Sequence, residues 1–360
     1  RYPNALCVDG THGKTTTTTM VAHFNAVAAG EGSAFLGGIS KNFDSNLVLG
    51  AGDRMAVEAD EFDRSFLQLR PQEAVVTSVD PDHLDIYGTY EAVREAFAEF
   101  AGRIVPGGVL ILKRGIELPF SRSDLRCYTY HLCDPAADFR AERLEVDAGG
   151  YYTFDLVFPD RRVEGCRLGI PGLVNVENCV AAAALVWCEG FASDEALREA
   201  LATFRGVRRR FDFWVNDPQR PGGMIYMDDY AHHPAELRAM LTSVRKMFPG
   251  RELTVVFQPH LYTRTRDFAA EFAEVLSLAD RVLLLPIYPA RELPIPGVAS
   301  EMILEGVAAP HKRLIAKEEL VAEVEALAAD GVLVTAGAGD IDRFCGPVAE
   351  AVRRRNRAAD

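Results

Sequence analysis

The stretch Asp9–Met20, DGTHGKTTTTTM, constrains the fold of this chain more than any other part of the sequence. The apolar run NALCVDG leads into it and indicates a strand, and the residues after Gly13 indicate a helix. Glycines permit the tight turn between the two, and backbone N–H groups at a helix N-terminus bind phosphate oxygens. A strand, a glycine turn and a helix in this order predict an α/β fold with a phosphate-binding loop.

The lysine of this loop supports the phosphate interpretation. Lys14 stands at the start of the expected helix, where a cation opposes the helix dipole unless an anion binds there. The standard pattern is incomplete, because Val8 stands where its first glycine belongs. Asp9 is a complication, since a carboxylate beside phosphates is repulsive unless it points away. We expect Gly10–Thr16 to surround phosphate groups, with Lys14 on the outer phosphates and the Thr15 hydroxyl on Mg²⁺.

Apolar runs and helical patterns alternate along the rest of the chain, which predicts mostly parallel sheets with helices on their faces. Strands are expected at AVVTSVD, GGVLILK, MIYMDDY, LTVVFQP, RVLLLPIY and GVLVTAGAG, and a helix at NVENCVAAAALVWCEG. The segment TYEAVREAFAEFAGRI predicts a helix with one apolar face, formed by Tyr90, Val93, Phe97, Phe100 and Ile104.

Two further features concern the domain organisation. The stretch from about Cys127 to Pro171 has short alternating runs and is expected to form an antiparallel appendage. Four arginines occur between Arg205 and Arg210, after which the strand–helix pattern restarts. We expect a boundary near Arg209, with a central phosphate-loop ATPase-type domain at 1–209 and a Rossmann-like α/β domain at 210–360.

Composition excludes several classes of function. The net charge of −13 argues against a general nucleic-acid-binding protein. The seven cysteines include no C-x-x-C pair, which argues against a zinc site or a disulfide framework and fits a reducing cytoplasm. No apolar run reaches membrane-spanning length and no signal peptide precedes the loop, so we expect a cytoplasmic protein.

Acidic and imidazole side chains follow the expected strands. AVEADEFDRSF contains Glu58 and three further acidic residues, and SVDPDHLDIYG places His83 among three aspartates. Ligands of open α/β sheets bind beyond the carboxyl ends of the strands, and Mg²⁺ prefers oxygen ligands. These segments are therefore candidates for metal or phosphate binding.

Eight strings, taken together and in order, resemble the Mur ligase family, the ATP-dependent amide ligases of bacterial cell-wall synthesis. They are GTHGKTTT, EADEFDRSFL, DPDHLDIYG, NVENCVAAAA, DDYAHHPAEL, FQPHLYTRTRDF, ARELPIPG and TAGAGDID. The resemblance covers nearly the whole chain. It implies a central ATPase domain and a C-terminal domain, preceded in the family by a UDP-binding domain that we expect this sequence to lack.

The resemblance also implies the reaction and its site. It implies ATP, two Mg²⁺ ions, the small-molecule substrates UDP-N-acetylmuramate and L-alanine, and an acyl-phosphate intermediate, with no nucleic-acid or membrane partner. The implied ATP contacts are Gly10, Thr11, His12, Gly13, Lys14, Thr15, Thr16, Asn178, Arg210, Asp228 and Asp229. The implied metal ligands are Thr15 and Glu58 for one ion and His83 for the other. The implied amino-acid contacts are Tyr230, His232, His260 and Arg264. The implied catalytic residues are Lys14, His83, Arg210, His232 and His260.

The sequence departs from the family's pattern at two positions and leaves alternatives open. Val174 replaces a frequent histidine, which weakens the adenine contact expected for Asn178, and Leu261 replaces a frequent basic residue. Either His232 or His260 could serve as the base for the alanine amine, since both have a suitable unperturbed pKa. Of the adjacent His232 and His233, one is expected to be structural.

The sequence leaves open two alternatives to a ligase that adds L-alanine to the sugar. The first is the recycling ligase of the same family, which adds a whole peptide to the same sugar. The second is a nucleotide-binding fragment that does not ligate without a UDP-binding domain.

Overall fold

The computed structural model describes residues 4–30, 32–81, 84–190, 193–217, 220, 222–328 and 330–358. The chain divides into two compact units. The first comprises Arg1–Val146 and Tyr151–Arg208, and the second comprises Asp147–Gly150 and Arg209–Asp360. Within the described residues no helix combines the length and the apolar character needed to cross a membrane.

The first unit contains a seven-stranded sheet and a separate three-stranded sheet. Its strands are β1 (Asn4–Asp9), β2 (Ser33–Ser40), β3 (Ser45–Val48), β4 (Arg54–Glu58), β5 (Glu73–Val76), β6 (Val109–Lys113), β7 (Arg126–Tyr130), β8 (Arg140–Val146), β9 (Tyr152–Val157) and β10 (Arg162–Arg167). Its helices are α1 (Lys14–Ala29), α2 (Leu84–Tyr87), α3 (Tyr90–Gly102), α4 (Leu173–Cys188) and α5 (Asp194–Thr203), with a 3₁₀ turn at Ser65–Gln68.

The larger sheet has the order β3-β2-β4-β1-β5-β6-β7, and only β3 pairs in the antiparallel sense. Its central strand β1 leads directly into α1, and β4 and β5 flank it. The carboxyl ends of these three strands therefore meet at one edge, which is where open α/β sheets bind ligands. Apolar clusters cover the sheet, one of them containing α1 and α4 and the other α3.

The predicted helix at TYEAVREAFAEFAGRI is confirmed as α3 and buries most of its expected apolar face. Val93, Phe97 and Phe100 are buried, and Ile104 is buried just beyond the helix end. Tyr90 is the exception and remains 38% exposed, and its hydroxyl donates to the backbone oxygen of Val79 at 2.9 Å. The spacing of the apolar residues thus predicted both the helix and its buried face correctly.

The expectation of an antiparallel appendage from Cys127 is wrong at its start. Cys127 lies in β7, which pairs in parallel with β6 at the edge of the larger sheet. The antiparallel sheet begins only at Arg140 and has the order β10-β9-β8. An edge strand is half covered and so alternates between apolar and polar residues, and this pattern does not distinguish parallel from antiparallel pairing.

The run of threonines is accommodated inside α1 by local hydrogen bonds. Thr18 Oγ1 donates to the Lys14 backbone oxygen at 2.8 Å, and Thr19 Oγ1 donates to that of Thr15 at 2.7 Å. β-Branched residues are mediocre helix formers, but these threonines are buried where α1 packs against α4 and α5. Tertiary packing thus stabilises a helix that sequence propensity alone supports weakly.

The second unit is built on a six-stranded sheet with the order β11-β12-β16-β13-β14-β15, in which only β11 is antiparallel. Its strands are β11 (Asp212–Val215), β12 (Ile225–Asp229), β13 (Leu253–Phe257), β14 (Arg281–Leu284), β15 (His311–Leu314) and β16 (Val332–Ala336). Its helices are α6 (Pro234–Met247), α7 (Tyr262–Asp267), α8 (Ala269–Leu276), α9 (Glu301–Gly306), α10 (Leu320–Ala326) and α11 (Cys345–Ala358), with 3₁₀ turns at Lys317–Glu319 and Asp340–Phe344. Apolar clusters lie on both faces. The four strands predicted here are confirmed.

Candidate active site

The glycine loop between β1 and α1 is supported by the residues that follow β5. Gly10 has φ +135° and Gly13 has φ +85°, conformations that favour glycine. Thr77 Oγ1 donates to the His12 backbone oxygen at 2.6 Å, and Ser78 Oγ accepts from the His12 backbone N–H at 2.8 Å. Thr11 Oγ1 lies 2.8 Å from the same Ser78 hydroxyl oxygen. The loop is therefore held from the neighbouring strand end.

Replacing Gly10 by alanine is expected to distort this loop and abolish nucleotide binding. A Cβ atom there would lie 2.1 Å from Thr77 Oγ1 and 2.8 Å from the Ser78 backbone nitrogen. Gly115→Ala is the matched control, because Gly115 also has a positive φ, +96°, but has no atom within 4 Å of an added Cβ. Titration with an ATP analogue measures both variants, and unchanged binding by Gly10→Ala would contradict the assignment of the loop.

Lys14, the first residue of α1, lies within a buried group of charges. Its Nζ donates to the Gly10 backbone oxygen at 2.7 Å and to Glu61 Oε1 and Oε2 at 3.0 and 2.7 Å. Burial opposes the charged form, but the Glu61 carboxylate outweighs it and raises the pKa of Lys14. Lys14 is therefore an ammonium at neutral pH.

The environment of Asp9 disfavours a negative charge beside the loop. Its side chain is fully buried, Oδ1 accepts the Gly10 backbone N–H at 2.7 Å, and Oδ2 has no hydrogen-bond partner. Burial, followed by the negative charge of Glu61, raises the pKa of Asp9 well above its usual value. A raised pKa favours the neutral carboxyl group, which weakens the electrostatic objection that the sequence raised against phosphate binding here.

Thr15 and Glu58 form an oxygen-rich pair beside the loop. Thr15 Oγ1 donates to Glu58 Oε1 at 2.9 Å, and the Gly37 backbone N–H donates to Glu58 Oε2 at 2.8 Å. No group of three or more histidine, cysteine or acidic side chains is arranged for metal binding in the part of the chain that the structure describes. One carboxylate and one hydroxyl still suit Mg²⁺, which binds through few protein ligands together with phosphate oxygens and water.

The other residues expected at the nucleotide have mixed positions. His12 is exposed, with Nε2 3.6 Å from Asp80 Oδ2. Asn178 on α4 lies against the loop, since a Cβ atom on Gly13 would be 2.8 Å from its Oδ1. Thr16 is partly exposed on the first turn of α1. His83 lies outside the described residues, so its role as a ligand of a second metal stays a prediction.

In the second unit the two aspartates that end β12 have their oxygens occupied by internal contacts. Asp228 is fully buried, accepts from Arg209 Nε at 3.0 Å and from Thr335 Oγ1 at 2.6 Å, and has a pKa raised by burial. Arg209 also donates to the backbone oxygen of Gly337. Asp228 thereby positions Arg209. A contact between Asp228 and a ribose would require at least one of these hydrogen bonds to break.

Asp229 has a similar environment. Its carboxylate accepts the backbone N–H groups of Phe211 and Ala231, each at 2.8 Å. Burial raises the pKa of Asp229 to about 6, although the Arg210 charge and these two hydrogen bonds oppose the rise. Asp229 therefore fixes the turn after β12, which carries Tyr230.

The residues expected to contact the amino acid lie close together, as the sequence predicts for a common site. They are Tyr230, His232, His260 and Arg264. The ring centroids of Tyr230 and His232 are 5.1 Å apart, and those of His232 and His260 are 5.9 Å apart. Arg264 Nη1 is 3.5 Å from His260 Nδ1, and the Arg210 guanidinium lies 5.3 Å from the centre of the Tyr230 ring. These residues form one aromatic and basic group in the second unit.

Burial is the largest influence on both histidines. It lowers the pKa of His232, and it lowers the pKa of His260 to about 4, helped by the nearby His232 and Arg264. Both imidazoles are therefore neutral at pH 7. His232 Nδ1 lies 2.9 Å from the Tyr230 backbone oxygen and 3.3 Å from Glu236 Oε2. Because both neighbours are acceptors, Nδ1 carries the proton and Nε2 is left as an acceptor.

The adjacent His233 has a structural role, as expected for one of the two histidines. It is the N-cap of α6, where its Nδ1 accepts the Ala235 backbone N–H at 3.4 Å and its own N–H donates to Glu236. Its ring packs against Phe268, with centroids 4.9 Å apart. Capping by side chains of this kind stabilises the helix start.

Several residues at these sites received no role from the sequence. Glu61 was noted only as one of several acidic residues, yet it is the partner of Lys14. No sequence signal indicated Tyr288, whose ring stacks on His260 at 5.8 Å, or Thr77 and Ser78. Their positions depend on contacts between segments far apart in the chain. Thr77 and Ser78 could have been identified only from an expectation that β5, which they follow, is a neighbour of β1.

Comparisons with known proteins find the same family along nearly the whole chain. The family description "Mur ligase middle domain" matches residues 8–186, and "Mur ligase, glutamate ligase domain" matches residues 209–339. A UDP-N-acetylmuramate–L-alanine ligase of Parabacteroides distasonis is 50% identical over 354 residues, which are 98% of this chain and 75% of that protein.

Solved structures show the same similarity in three dimensions. A UDP-N-acetylmuramate–alanine ligase of Thermotoga maritima superposes with a TM-score of 0.75 at 27% identity, covering 99% of this chain and 76% of that one. A murein peptide ligase of Psychrobacter arcticus shares the fold, with a TM-score of 0.63 at 22% identity and coverage of 98% and 78%. With matches of this extent and identity, the chain belongs to the Mur ligase family.

Proposed function

We propose that this protein is an ATP-dependent, ADP-forming amide ligase that joins L-alanine to UDP-N-acetylmuramate. The observation that carries the proposal is the glycine loop, where a buried ammonium of Lys14 adjoins the Thr15–Glu58 oxygen pair. This set suits a nucleoside triphosphate with Mg²⁺. The choice of substrates follows the Parabacteroides distasonis relative, whose name contains both of them.

The proposed reaction has two steps. An oxygen of the sugar's lactyl carboxylate attacks the γ-phosphorus of ATP, ADP leaves, and an acyl phosphate forms. The neutral amine of L-alanine then attacks the acyl carbon, and phosphate leaves as the amide forms. Lys14 stabilises negative charge on the transferring phosphoryl group. Mg²⁺, held by Thr15 and Glu58, supplies further charge neutralisation when it is bound. Arg210 and His83 remain proposed contacts of the γ-phosphate and of a second ion.

We propose His232 as the base that accepts the proton of the alanine ammonium. The hydrogen bonds of His232 leave Nε2 as an acceptor, and Glu236 stabilises the imidazolium that forms. His260 has the opposite arrangement, because Arg264 approaches its Nδ1 as a donor and leaves Nε2 protonated. With Tyr230 and Arg264, His260 is proposed to bind the amino acid through hydrogen bonds.

Replacing His232 by glutamine is expected to reduce amide formation by about a hundredfold or more, which is the usual contribution of a general base. His233→Gln is the matched control, because it changes the neighbouring imidazole, which caps α6, and should retain the rate with a small loss of stability. Product formation and thermal unfolding are measured for both. A His232→Gln enzyme as fast as the unchanged protein would contradict the assignment.

The proposed function is tested by product analysis. Purified protein is incubated with ATP, Mg²⁺, UDP-N-acetylmuramate and either L-alanine or a tripeptide. We expect ADP, phosphate and the alanyl product only when all four components are present. Use of the tripeptide in preference to L-alanine would instead indicate the recycling ligase. Absence of any amino-acid-dependent phosphate release would refute the proposal and favour the alternative of a nucleotide-binding fragment that does not ligate without a UDP-binding domain.

A further inference from the structure

We propose that Glu61 is a positioning residue for Lys14 and occupies its ammonium in the nucleotide-free protein, so that phosphate oxygens must displace the Glu61 carboxylate when they bind. This inference rests on the proposed function, because it concerns how the glycine loop takes up its nucleotide. Neither the loop pattern nor the metal pair Thr15–Glu58 includes Glu61.

The hydrogen bonds of Lys14 carry the argument. An ammonium group has three N–H donors. Lys14 Nζ has three acceptors within hydrogen-bond distance, namely the Gly10 backbone oxygen at 2.7 Å and the two Glu61 oxygens at 2.7 and 3.0 Å. All three donors are therefore used inside the protein. Lys14 can donate to a phosphate oxygen only if one of these contacts is exchanged.

The Glu61 carboxylate is the partner that can be exchanged. The Gly10 carbonyl is part of the strand–helix turn and is fixed by the chain. The Glu61 backbone is also anchored, since its carbonyl oxygen accepts from the Tyr87 hydroxyl at 2.6 Å and from the Arg64 backbone N–H at 3.1 Å. The Glu61 carboxylate can therefore leave Lys14 by rotation of the Glu61 side chain, while the Glu61 backbone and the Gly10 carbonyl stay in place.

Burial explains why such a partner is needed before the nucleotide binds. The side chains of Lys14 and Glu61 are only 13% and 1% exposed. A buried ammonium without a partner is strongly unfavourable, and an ionised carboxylate offers it two charge-assisted hydrogen bonds. Glu61 thus occupies, on Lys14, the position that phosphate oxygens take later. It keeps the loop formed when empty, and it weakens nucleotide binding by competition.

Titration of Glu61→Gln with two probes tests the competition. The probes are the Mg²⁺ complex of a non-hydrolysable ATP analogue and inorganic tripolyphosphate, which lacks the nucleoside. The neutral amide competes less well for Lys14, so we expect both probes to bind about tenfold more tightly, the equivalent of losing one charge-assisted hydrogen bond in the empty protein. Glu73→Gln is the matched control, because Glu73 is also a buried glutamate of the first unit and should leave both affinities unchanged.

A double-mutant cycle without nucleotide tests the pair itself. Unfolding is measured for Lys14→Met, Glu61→Gln and the variant with both changes. We expect the double variant to be more stable than the sum of the single losses predicts, because it removes the ion pair without leaving a buried charge. If Glu61→Gln does not fold, Glu61→Asp replaces it in the titrations. Its shorter side chain loses the two-oxygen contact and should also bind the probes more tightly.

The outcomes separate this inference from the proposed function. Suppose that the unchanged protein binds the probes and that a folded Glu61→Gln variant binds them equally well or more weakly. This result overturns the displacement of Glu61 by phosphate and leaves the proposed function standing. Failure of both proteins to bind either probe overturns the exchange and the proposed function together. Additive stability losses in the cycle show that Lys14 and Glu61 are not paired and overturn the inference without any nucleotide.

Discussion

Replacing Lys14 by methionine is expected to lower ATP turnover by at least about a thousandfold, while the protein stays folded. Lys14 is the cation of the glycine loop, and phosphoryl transfer depends on stabilising negative charge at the transferring group. Loss of one preorganised donor at such a position typically costs a factor of about 10²–10³, and a full charge is lost here as well. Methionine retains the length and apolar stem of lysine, so packing changes little.

The comparison requires two further variants. Lys312→Met is the matched control, because the Lys312 ammonium also donates to protein oxygens, those of the Leu304 and Val307 backbone at 2.9 and 2.6 Å, but lies in β15, the edge strand of the second unit's sheet. It should keep its turnover. Lys14→Met combined with Glu61→Gln removes the buried carboxylate left without its partner and should restore stability without restoring activity. Phosphate release and thermal unfolding are the measurements, and substantial ATP turnover by a clean Lys14→Met preparation would disprove the role of the loop.

The parts of the fold that sequence predicted correctly are those determined by local pattern. A strand of six residues, two glycines and a buried helix specify the loop within Asn4–Ala29, and each step rests on turn geometry or periodicity. The error at Cys127 has the opposite cause. Whether β7 pairs with β6 or with a later strand depends on contacts across the sheet, which alternation within one strand does not record.

The candidate site shows the same limit. Lys14 and Thr15 were predicted because they belong to one short pattern, whereas Glu61 lies 47 positions from Lys14 and is recognisable only in the folded chain. The assignments of Asp228 and Asp229 to a ribose came from resemblance alone. The structure shows that both carboxylates are buried and hydrogen-bonded. Asp228 accepts from Arg209 and from Thr335 of β16, and Asp229 accepts from backbone N–H groups. Sequence gives the residue types of a site more readily than their partners.

Adjacent histidines illustrate a case of partial prediction. Alternating side-chain directions indicate that His232 and His233 cannot both face one site. Choosing between them requires knowing that α6 begins at Pro234, because the residue directly before it then becomes the N-cap. The sequence contains this proline, and reading it as the first residue of a helix would have assigned His233 to capping and left His232 for the site.

A second large effect is expected at the opposite edge of the same sheet, where β5 begins. Glu73 is only 2% exposed, and its Oε2 has no hydrogen-bond partner. The nearby Glu189 is held by Arg54, with Nε 2.8 Å from Glu189 Oε2. Burial, followed by the charge and hydrogen bond of Glu189, raises the pKa of Glu73 to about 9, although Arg126 and Arg54 oppose the rise. Glu73 therefore carries a proton at neutral pH.

Glu73→Gln is consequently expected to stabilise the protein at pH 8 and to leave its stability nearly unchanged at pH 5. The folded protein keeps a proton on Glu73 that the unfolded chain releases above its ordinary pKa of 4.5. The folded state then binds more protons, so the free energy of unfolding falls as pH rises from about 4.5 towards about 9. Glutamine resembles the protonated acid and removes this loss, which we expect to be worth roughly 2–4 kcal/mol at pH 8. Denaturant unfolding at both pH values measures the effect, with pH 5 as the internal control, and a variant whose stability falls with pH as steeply as that of the unchanged protein would show that Glu73 is ionised in the fold.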